Sequence, residues 1–407
     1  MSAYFRSLVC SGRRMSRVGL ALCLGLVVPP RIVAAQTPTT TPSQPVVDIG
    51  LGRGVTIRSA DDEVSLNLRA RIQVRSTVID TGRDGQQSLS EIAIRRARLA
   101  FQGNALGPAL TYYVQLSFSN LDNEADLRLP LRDAYVTWVP SRHVSVRLGQ
   151  MKVPFSRQRV TSSSALQMVD RSIVVTELNL DRDVGVQLFS RSLFDNKLGY
   201  AVGLFGGEGR NRLGRAAGFL YSARVESWPF GQFDDVPEGD LQRHNTFRLA
   251  VGASVGYNQA TNRPRSTIGT PFTAGDFDYN HAGVDMTMKW RGWSVLSEWL
   301  YRSADRETQT LPVNGVVSTI ASRSGWGAYL QTGWMFSSHW EVSGRYSHLA
   351  PSRGTDVTFI VGDEIGSALS YYVRDHNLKV QGDYFNVTDQ TSARRVHQVR
   401  AQFQIFF

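Results

Sequence analysis

The sequence predicts an all-β fold, a transmembrane antiparallel β-barrel of sixteen strands. Three observations lead to this prediction. Polar and apolar residues alternate along many segments, short connections alternate with long ones, and no apolar run of 18 residues follows the N-terminal region. A transmembrane helix needs such a run. Without it, only a closed barrel can pair all backbone groups inside a bilayer.

The first predicted strand, residues 64–80, shows the alternation most fully. Its apolar face consists of Val64, Leu66, Leu68, Ala70, Ile72, Val74 and Val78. Its polar face carries three arginines and no acidic residue, namely Arg69, Arg71 and Arg75. Successive side chains of a strand point to opposite sides, and a tilted strand of this length covers about 25 Å of hydrocarbon. We therefore expect one side to face lipid and the other a cationic, water-filled lumen.

Fifteen further segments show the same period of two. They span residues 91–104, 110–119, 133–138, 144–149, 183–190, 198–206, 217–227, 246–257, 280–290, 293–303, 325–336, 340–349, 367–373, 378–386 and 397–407. Bacterial single-chain barrels have an even number of strands, and sixteen strands leave the lumen open to water. Residues 50–57 read as a short additional strand before the barrel.

The lengths of the connections assign the two rims. The short turns are residues 140–143, 291–292, 337–338 and 374–377, and the long loops are residues 153–180, 258–279, 304–323 and 350–366. Short periplasmic turns and long extracellular loops are typical of outer-membrane barrels. The segment 228–245 lies on the short-turn side, yet it is long and acidic, and the pattern does not account for it.

Aromatic residues support this orientation. Seven of them lie beside the short turns: Trp138, Trp290, Trp293, Trp334, Trp340, Tyr371 and Tyr372. Such residues form girdles at the headgroup level of a membrane. We therefore expect these seven to line the periplasmic edge of the lipid-facing surface.

The N-terminal region has the features of an export signal. Four arginines precede an apolar run at residues 18–28, and small residues end the segment at 33–35. This pattern predicts a signal peptide over residues 1–35, a flexible periplasmic linker over 36–49 and the barrel over 50–407. The Arg13-Arg14 pair leaves twin-arginine export as an alternative route. Both cysteines, Cys10 and Cys23, fall in the predicted signal peptide, so we expect no disulfide and no thiolate metal site in the barrel.

The positive charge is almost entirely arginine. The chain has 45 Lys and Arg against 35 Asp and Glu, and only four of the basic residues are lysines. Two explanations of this bias stay open. One is the base composition of the host genome. The other is function, because the planar guanidinium group of arginine binds oxyanions better than an ammonium group does. On the inward parity of the first five strands, six arginines accompany one aspartate: Arg69, Arg71, Arg75, Arg96, Arg98, Arg147 and Asp133. The later strands are balanced, and there we expect Arg224, Arg302 and Arg345 to pair with inward acids.

Five segments together resemble the phosphate-selective porin O and P family. They are RRARLAF from Arg95, LRDAYVTW from Leu131, RLGQMKVPFSRQRVTSS from Arg147, RDVGVQLF from Arg182 and the closing VRAQFQIFF. They keep the order and spacing of the family, and the resemblance covers residues 50–407. It implies a sixteen-stranded trimeric anion channel of the outer membrane, narrowed by an inward-folded third loop.

The resemblance also implies an anion site. By motif it comprises Arg95, Arg96, Arg98, Asp133, Tyr135, Lys152, Arg157, Arg159 and Arg171. The alternation itself places Arg95 on the outward face with Ala97 and Leu99. The predicted pore-lining set also includes four arginines of the inward parity: Arg69, Arg71, Arg75 and Arg147.

The function expected from these observations is a water-filled, anion-selective porin for phosphate or polyphosphate uptake. Its expected partners are inorganic phosphate or other small anions, outer-membrane lipid and two further copies of the chain, with no nucleic acid and no cofactor. The alternative is a general-diffusion or structural barrel without specific phosphate binding. An enzyme is not expected, because Gly252–Gly256 matches a nucleophile elbow only inside an alternating strand. The seven histidines also lack metal-ligand spacing, so no metal site is expected.

Overall fold

The computed structural model describes residues 45–80, 88–124, 127, 129–212, 218–313, 315–359, 361–389 and 394–407. The predicted signal peptide and residues 36–44 of the predicted linker lie outside these residues. The strands are β1 (Val46–Gly50), β2 (Gly54–Arg58), β3 (Ser65–Asp80), β4 (Leu89–Asn104), β5 (Leu110–Ser117), β6 (Leu131–Ser141), β7 (Val144–Lys152), β8 (Arg182–Leu193), β9 (Leu198–Phe205), β10 (Leu220–Ser227), β11 (Arg248–Thr261), β12 (Phe277–Trp290), β13 (Trp293–Ala304), β14 (Thr308–Val313), β15 (Val316–Ala321), β16 (Gly325–Met335), β17 (Trp340–Pro351), β18 (Gly362–Arg374), β19 (Leu378–Asp389) and β20 (Arg394–Phe406).

Sixteen of these strands, β3–β13 and β16–β20, form one closed antiparallel barrel. Each strand pairs with the next, and β20 closes the ring by pairing with β3. The predicted strand number and antiparallel order are confirmed. Strands β14 and β15 form a separate hairpin within the connection from β13 to β16. Among the described residues, the helices are too short or too polar to span a membrane.

A second hairpin, β1 and β2, extends the sheet where the barrel closes. Strand β20 ends with Phe406 opposite Arg71, and the backbone of the next residue, Phe407, pairs with that of Ala70. From that point β2 takes the place beside β3, with Val55 opposite Leu68. The short strand predicted at residues 50–57 is therefore present as β2, whereas the end of the predicted linker, residues 46–49, belongs to β1.

The outer surface is apolar and carries the expected aromatic residues. The five tryptophans predicted for the girdle are all exposed, and the rings of Trp293 and Trp334 stack at 5.4 Å. Tyr372 is a correction, because it points into the lumen with 2% of its surface exposed and donates to Glu341. Adjacent residues of a strand face opposite sides, so Tyr371 and Tyr372 cannot both meet lipid.

The longest connection folds into the lumen. Residues 153–181, between β7 and β8, form what we call the lumen loop, with helices α1 (Arg157–Val160) and α2 (Ile173–Leu178). Its apolar side chains, including Phe155 and Val174, are buried against Leu300 and Leu349 of the barrel wall. Because this contact occupies one side of the barrel, the open part of the lumen lies on the other side, along β3–β8.

The acidic segment that the pattern left unexplained enters the lumen from the periplasmic rim. We call residues 228–247, between β10 and β11, the periplasmic insert. Trp228, Asp235, Glu238 and Asp240 are all at most 2% exposed. Glu238 accepts from the backbone N–H of Gln167 in the lumen loop at 2.8 Å. The insert and the lumen loop therefore fill the same side of the barrel together.

Candidate functional site

The open side of the lumen forms two adjoining cavities of about 570 and 280 Å³. Four residues line both cavities and define a neck between them: Arg98, Tyr113, Gln115 and Ser162. The larger cavity is bounded by eleven basic and five acidic side chains, an excess of six positive charges. The smaller cavity adds Arg69 and Arg71. We call the two cavities together the basic passage.

Two β-bulges place extra cations in the passage. Gln73 pairs with Arg96 and Val74 with Ile94, so Arg95 is an additional residue in β4 and its side chain turns inward. The outward orientation expected for Arg95 is therefore wrong, because a bulge shifts the parity of the strand. A second bulge, between Leu131 and Asp133 of β6, turns Arg132 into the lumen.

Asp122 neutralises part of this wall. It lies in the 3-10 turn Asn120–Asp122 between β5 and β6 and binds Arg98 through both carboxylate oxygens, at 2.6 and 2.7 Å. Arg96 and Arg132 each approach it to 3.5 Å. Burial opposes ionisation, but Arg98 and Arg132 outweigh it and hold the pKa of Asp122 well below its usual range. Arg96 and Arg98 are therefore paired, although the sequence offered few acids near them.

Asp170 fastens the tip of the lumen loop to the same wall. Its carboxylate lies 2.9 Å from Arg75, 3.5 Å from Arg96 and 3.9 Å from Arg95. Arg75 also donates to Gln402 and to the carbonyl of Val169, and its side chain does not line the passage. Arg75 thus holds the loop in place. The prediction that it lines the pore is wrong.

Asp133 has a cationic partner that the sequence analysis did not select. Arg182, the first residue of β8, binds both oxygens of Asp133 at 2.9 Å and lies 3.2 Å from Asp181. Arg159 of the lumen loop pairs with Asp181 as well. Arg182 stands at the start of the RDVGVQLF motif, so the resemblance contained the signal that would have identified it.

Six basic residues of the passage have no carboxylate within 4.0 Å among the described residues. They are Arg69, Arg71, Arg147, Lys152, Arg171 and Arg265. Arg71 donates to the hydroxyls of Ser162 and Ser163 at 3.2 Å, and Arg171 donates to the carbonyl of Thr161 at 2.7 Å. Burial and the nearby Arg159 lower the pKa of Arg171 to about 9, because Asp170 and Glu238 compensate its charge only in part. At these six groups a permeating anion can take the place that a carboxylate occupies at the paired arginines.

The structure brings eleven of the thirteen predicted site residues to the passage. They are Arg69, Arg71, Arg95, Arg96, Arg98, Asp133, Tyr135, Arg147, Lys152, Arg159 and Arg171. Besides Arg75, the other departure is Arg157, which turns to the filled side and pairs with Asp235 at 2.6 Å and with Asp285. Residues that the sequence analysis missed include Arg132, Arg182, Arg210 and Arg265.

The arginines on the filled side of the barrel form ion pairs with buried acids. Arg224 binds Asp285 at 2.6 Å, Arg302 binds Glu177 at 2.6 Å and Arg345 binds Glu364 at 2.9 Å. Arg224 and Arg345 thus pair with acids of the barrel strands as expected, whereas the partner of Arg302 belongs to the lumen loop. Within the described ranges, no three His, Cys, Asp or Glu residues are grouped as metal ligands.

A sixteen-stranded barrel with an apolar outer surface and a lumen narrowed by an inward loop has the architecture of an outer-membrane porin. That is the class of protein the fold and the passage define. The model of the family "phosphate-selective porin O and P" matches residues 66–407, and the chain belongs to this family. The resemblance found in the sequence motifs is thus confirmed.

Other comparisons find a distant sequence relative and solved structures with the same fold. An uncharacterized protein of Aquifex aeolicus (strain VF5) is 23% identical over 299 residues, 66% of this chain and 66% of that protein. The match thus spans about two thirds of that relative. The structure of Salmonella typhi OmpF in complex with daunomycin has 13% identity and a TM-score of 0.56, over 85% of this chain and 99% of that one. An anion-selective porin from Comamonas acidovorans has 12% identity and a TM-score of 0.53, over 85% and 100%. At these identities the two structures establish the fold alone.

Proposed function

We propose that this chain forms an anion-selective channel that admits phosphate or polyphosphate through the outer membrane. The observation that supports it is the set of six basic residues along the passage without a carboxylate partner. A lumen lined by one sign of charge raises the local concentration of counter-ions and repels ions of the same sign. The paired charges of the filled side contribute little to this field.

The passage would bind anions weakly and at several places. A contact between a guanidinium group and an oxyanion in a wet lumen contributes about 1 kcal/mol or less. Several weak contacts in series let an anion enter and leave, whereas one deep site would hold it. Arg71 and the serine hydroxyls beside it, together with Arg171, offer such contacts on either side of the neck.

Planar-bilayer recording tests the proposal. Under a KCl gradient we expect a reversal potential that reports chloride preference over potassium, and phosphate should block the chloride current at submillimolar concentration. Arg71→Gln combined with Arg171→Gln should raise the half-blocking phosphate concentration about tenfold, because two of the weak contacts are lost. Arg306→Gln is the matched control, because Arg306 pairs with Asp276 outside the passage.

The outcomes distinguish the candidate functions. A potassium preference would contradict the proposal. Chloride preference without phosphate block would identify a general-diffusion pore, which is the alternative function. A nucleophile-elbow enzyme needs a strand-turn-helix context, whereas Gly252–Gly256 lies within β11.

Assembly and export are further parts of this proposal. Family membership supports a homotrimer, which the mass of the folded protein in mild detergent would test. The basic and apolar pattern of residues 1–35 supports cleavage before Gln36. The N-terminal residue of protein purified from outer membranes would test that site.

A further inference from the structure

Aromatic rings and arginines without carboxylate partners form a strip along the passage wall. Tyr113 of β5 and Tyr135 of β6 are directly opposite each other, and their rings stack at 5.3 Å and 25°. On the next strand, the guanidinium carbon of Arg147 lies 4.3 Å from the ring centre of Tyr135. It lies 4.8 Å from the ring centre of Phe189 on β8. Four neighbouring strands thus contribute to one continuous stack.

The backbone leaves room for this stack. Gly149 is opposite Tyr135 in the pairing of β6 with β7, and its φ of +128° favours glycine. A Cβ at this position would lie 2.2 Å from the carbonyl oxygen of Ala134. Because position 149 carries no side chain, the guanidinium of Arg147 can lie over the ring beside it.

Arg147 keeps hydrogen-bond donors available in this arrangement. Its Nε donates to Thr137 at 3.0 Å, and its terminal nitrogens have no hydrogen-bond partner among the described residues. A guanidinium group stacked between rings keeps its N–H groups in its own plane, where a carboxylate or phosphate can approach edge-on. The stack therefore presents the edges of the tyrosine rings and the anion-binding edge of Arg147 side by side.

The smaller cavity repeats the combination. The guanidinium carbon of Arg69 lies 5.3 Å from the ring centre of Phe406, and both residues line that cavity. Tyr113 lines both cavities and belongs to the neck. An aromatic ring therefore accompanies the arginines on both sides of the neck. Inorganic anions need only the charges, whereas rings favour a solute with a planar apolar part.

We propose that the passage prefers organic anions that carry a planar aromatic ring, with aromatic carboxylates as the simplest class. This inference rests on the proposed anion channel and names a substrate class for it. The carboxylate meets the edge of Arg147 while the face of the solute ring lies against the edge of Tyr135 or Tyr113. Edge-to-face contact between aromatic rings contributes beyond the burial of apolar area, so the preference exceeds that expected from charge and size.

Matched anions provide the test. Benzoate and cyclohexanecarboxylate have the same charge and similar size, and only benzoate has an aromatic face. Bi-ionic reversal potentials with their potassium salts against KCl should give a benzoate permeability about two to ten times that of cyclohexanecarboxylate. In the double variant Tyr113→Leu with Tyr135→Leu the ratio should fall to about 1. The double Phe variant should keep the preference, and Tyr221→Leu, on the outer surface, is the matched control.

Each result decides the inference. Equal permeabilities in a wild-type pore that prefers chloride over potassium would overturn the substrate class and leave the proposed anion channel intact. A wild-type pore that prefers potassium would overturn both. A Leu variant that is folded, as shown by heat-modifiable migration, and that keeps the wild-type ratio would also overturn the inference, because the stack would not be its source.

Discussion

Replacement of Arg157 by Met tests whether this residue anchors the lumen loop rather than binding anions. Its guanidinium lies 2.6 Å from Asp235 of the periplasmic insert and 3.2 Å from Glu226, and it also pairs with Asp285. The side chains of Asp235 and Asp285 are 1% and 2% exposed. Methionine would leave these buried carboxylates short of one cation. Removal of one partner of a buried ion pair costs about 3–5 kcal/mol.

The assay is urea unfolding of the barrel refolded into lipid vesicles, followed by tryptophan fluorescence. We expect R157M to lower the free energy of unfolding by about 3–5 kcal/mol. Adding Asp235→Asn to R157M should cost less than the sum of the single changes by about 1–3 kcal/mol, because it removes one uncompensated charge. Arg306→Met, at an exposed pair, should change stability by less than about 1 kcal/mol.

Two results would refute this reasoning. One is an R157M protein within about 0.5 kcal/mol of the wild type, which would be typical of a surface change. The other is strict additivity of R157M and Asp235→Asn, since additivity is what independent sites show. Either would mean that the ion pairs between the lumen loop and the insert do not hold the two together.

The remaining predictions concern Asp122, Asp170 and the insert. Asp122→Asn removes one negative charge from the passage, so the chloride-to-potassium permeability ratio should rise about twofold; a lower ratio in bilayer recordings would contradict this. Burial opposes ionisation of Asp170, but Arg75 and Arg96 hold its pKa well below its usual range. Its ion pairs are therefore present above about pH 4 and lost as pH falls through the lower folded value. Because these ion pairs fasten the lumen loop, Asp170→Asn should show more current noise than the wild type, and this difference should persist from pH 8 to about 4.5. If the noise of the two proteins became equal near pH 6, Asp170 would not be the group that fastens the loop. Replacing residues 230–246 with a short turn should raise conductance and weaken anion preference by opening the wall that carries Asp285; an unchanged conductance would show that the insert does not fill the lumen.

The sequence predicted the barrel because its alternation and its loop lengths are local properties. Strand number, the two rims, the five girdle tryptophans and the inward arginines follow from those two patterns. Bulges are different, because one extra residue shifts the parity without changing the composition. For this reason the alternation places Arg95 on the wrong face and does not identify Arg132 as an inward residue.

The partners of the arginines could not be predicted in the same way. Asp122 and Asp170 belong to loops, and strand parity says nothing about where a loop side chain points. Arg157 matched a family motif but turns to the filled side, where the insert supplies Asp235. The insert itself looked like an anomalous turn, since its place in the lumen depends on contacts with the lumen loop more than 60 residues earlier in the chain, such as that of Glu238 with Gln167.

The position of the charges explains how a mildly basic chain can build a strongly basic pore. The chain carries a net +10, and the predicted signal peptide accounts for five arginines and no acids, which leaves +5. The larger cavity alone has an excess of six, and Arg69 and Arg71 bring the passage to eight. Outside the passage, residues 36–407 are therefore slightly acidic. Many of the acidic residues outside the passage form ion pairs on the filled side, where the lumen loop and the periplasmic insert lie. The positive field is therefore concentrated where a solute passes.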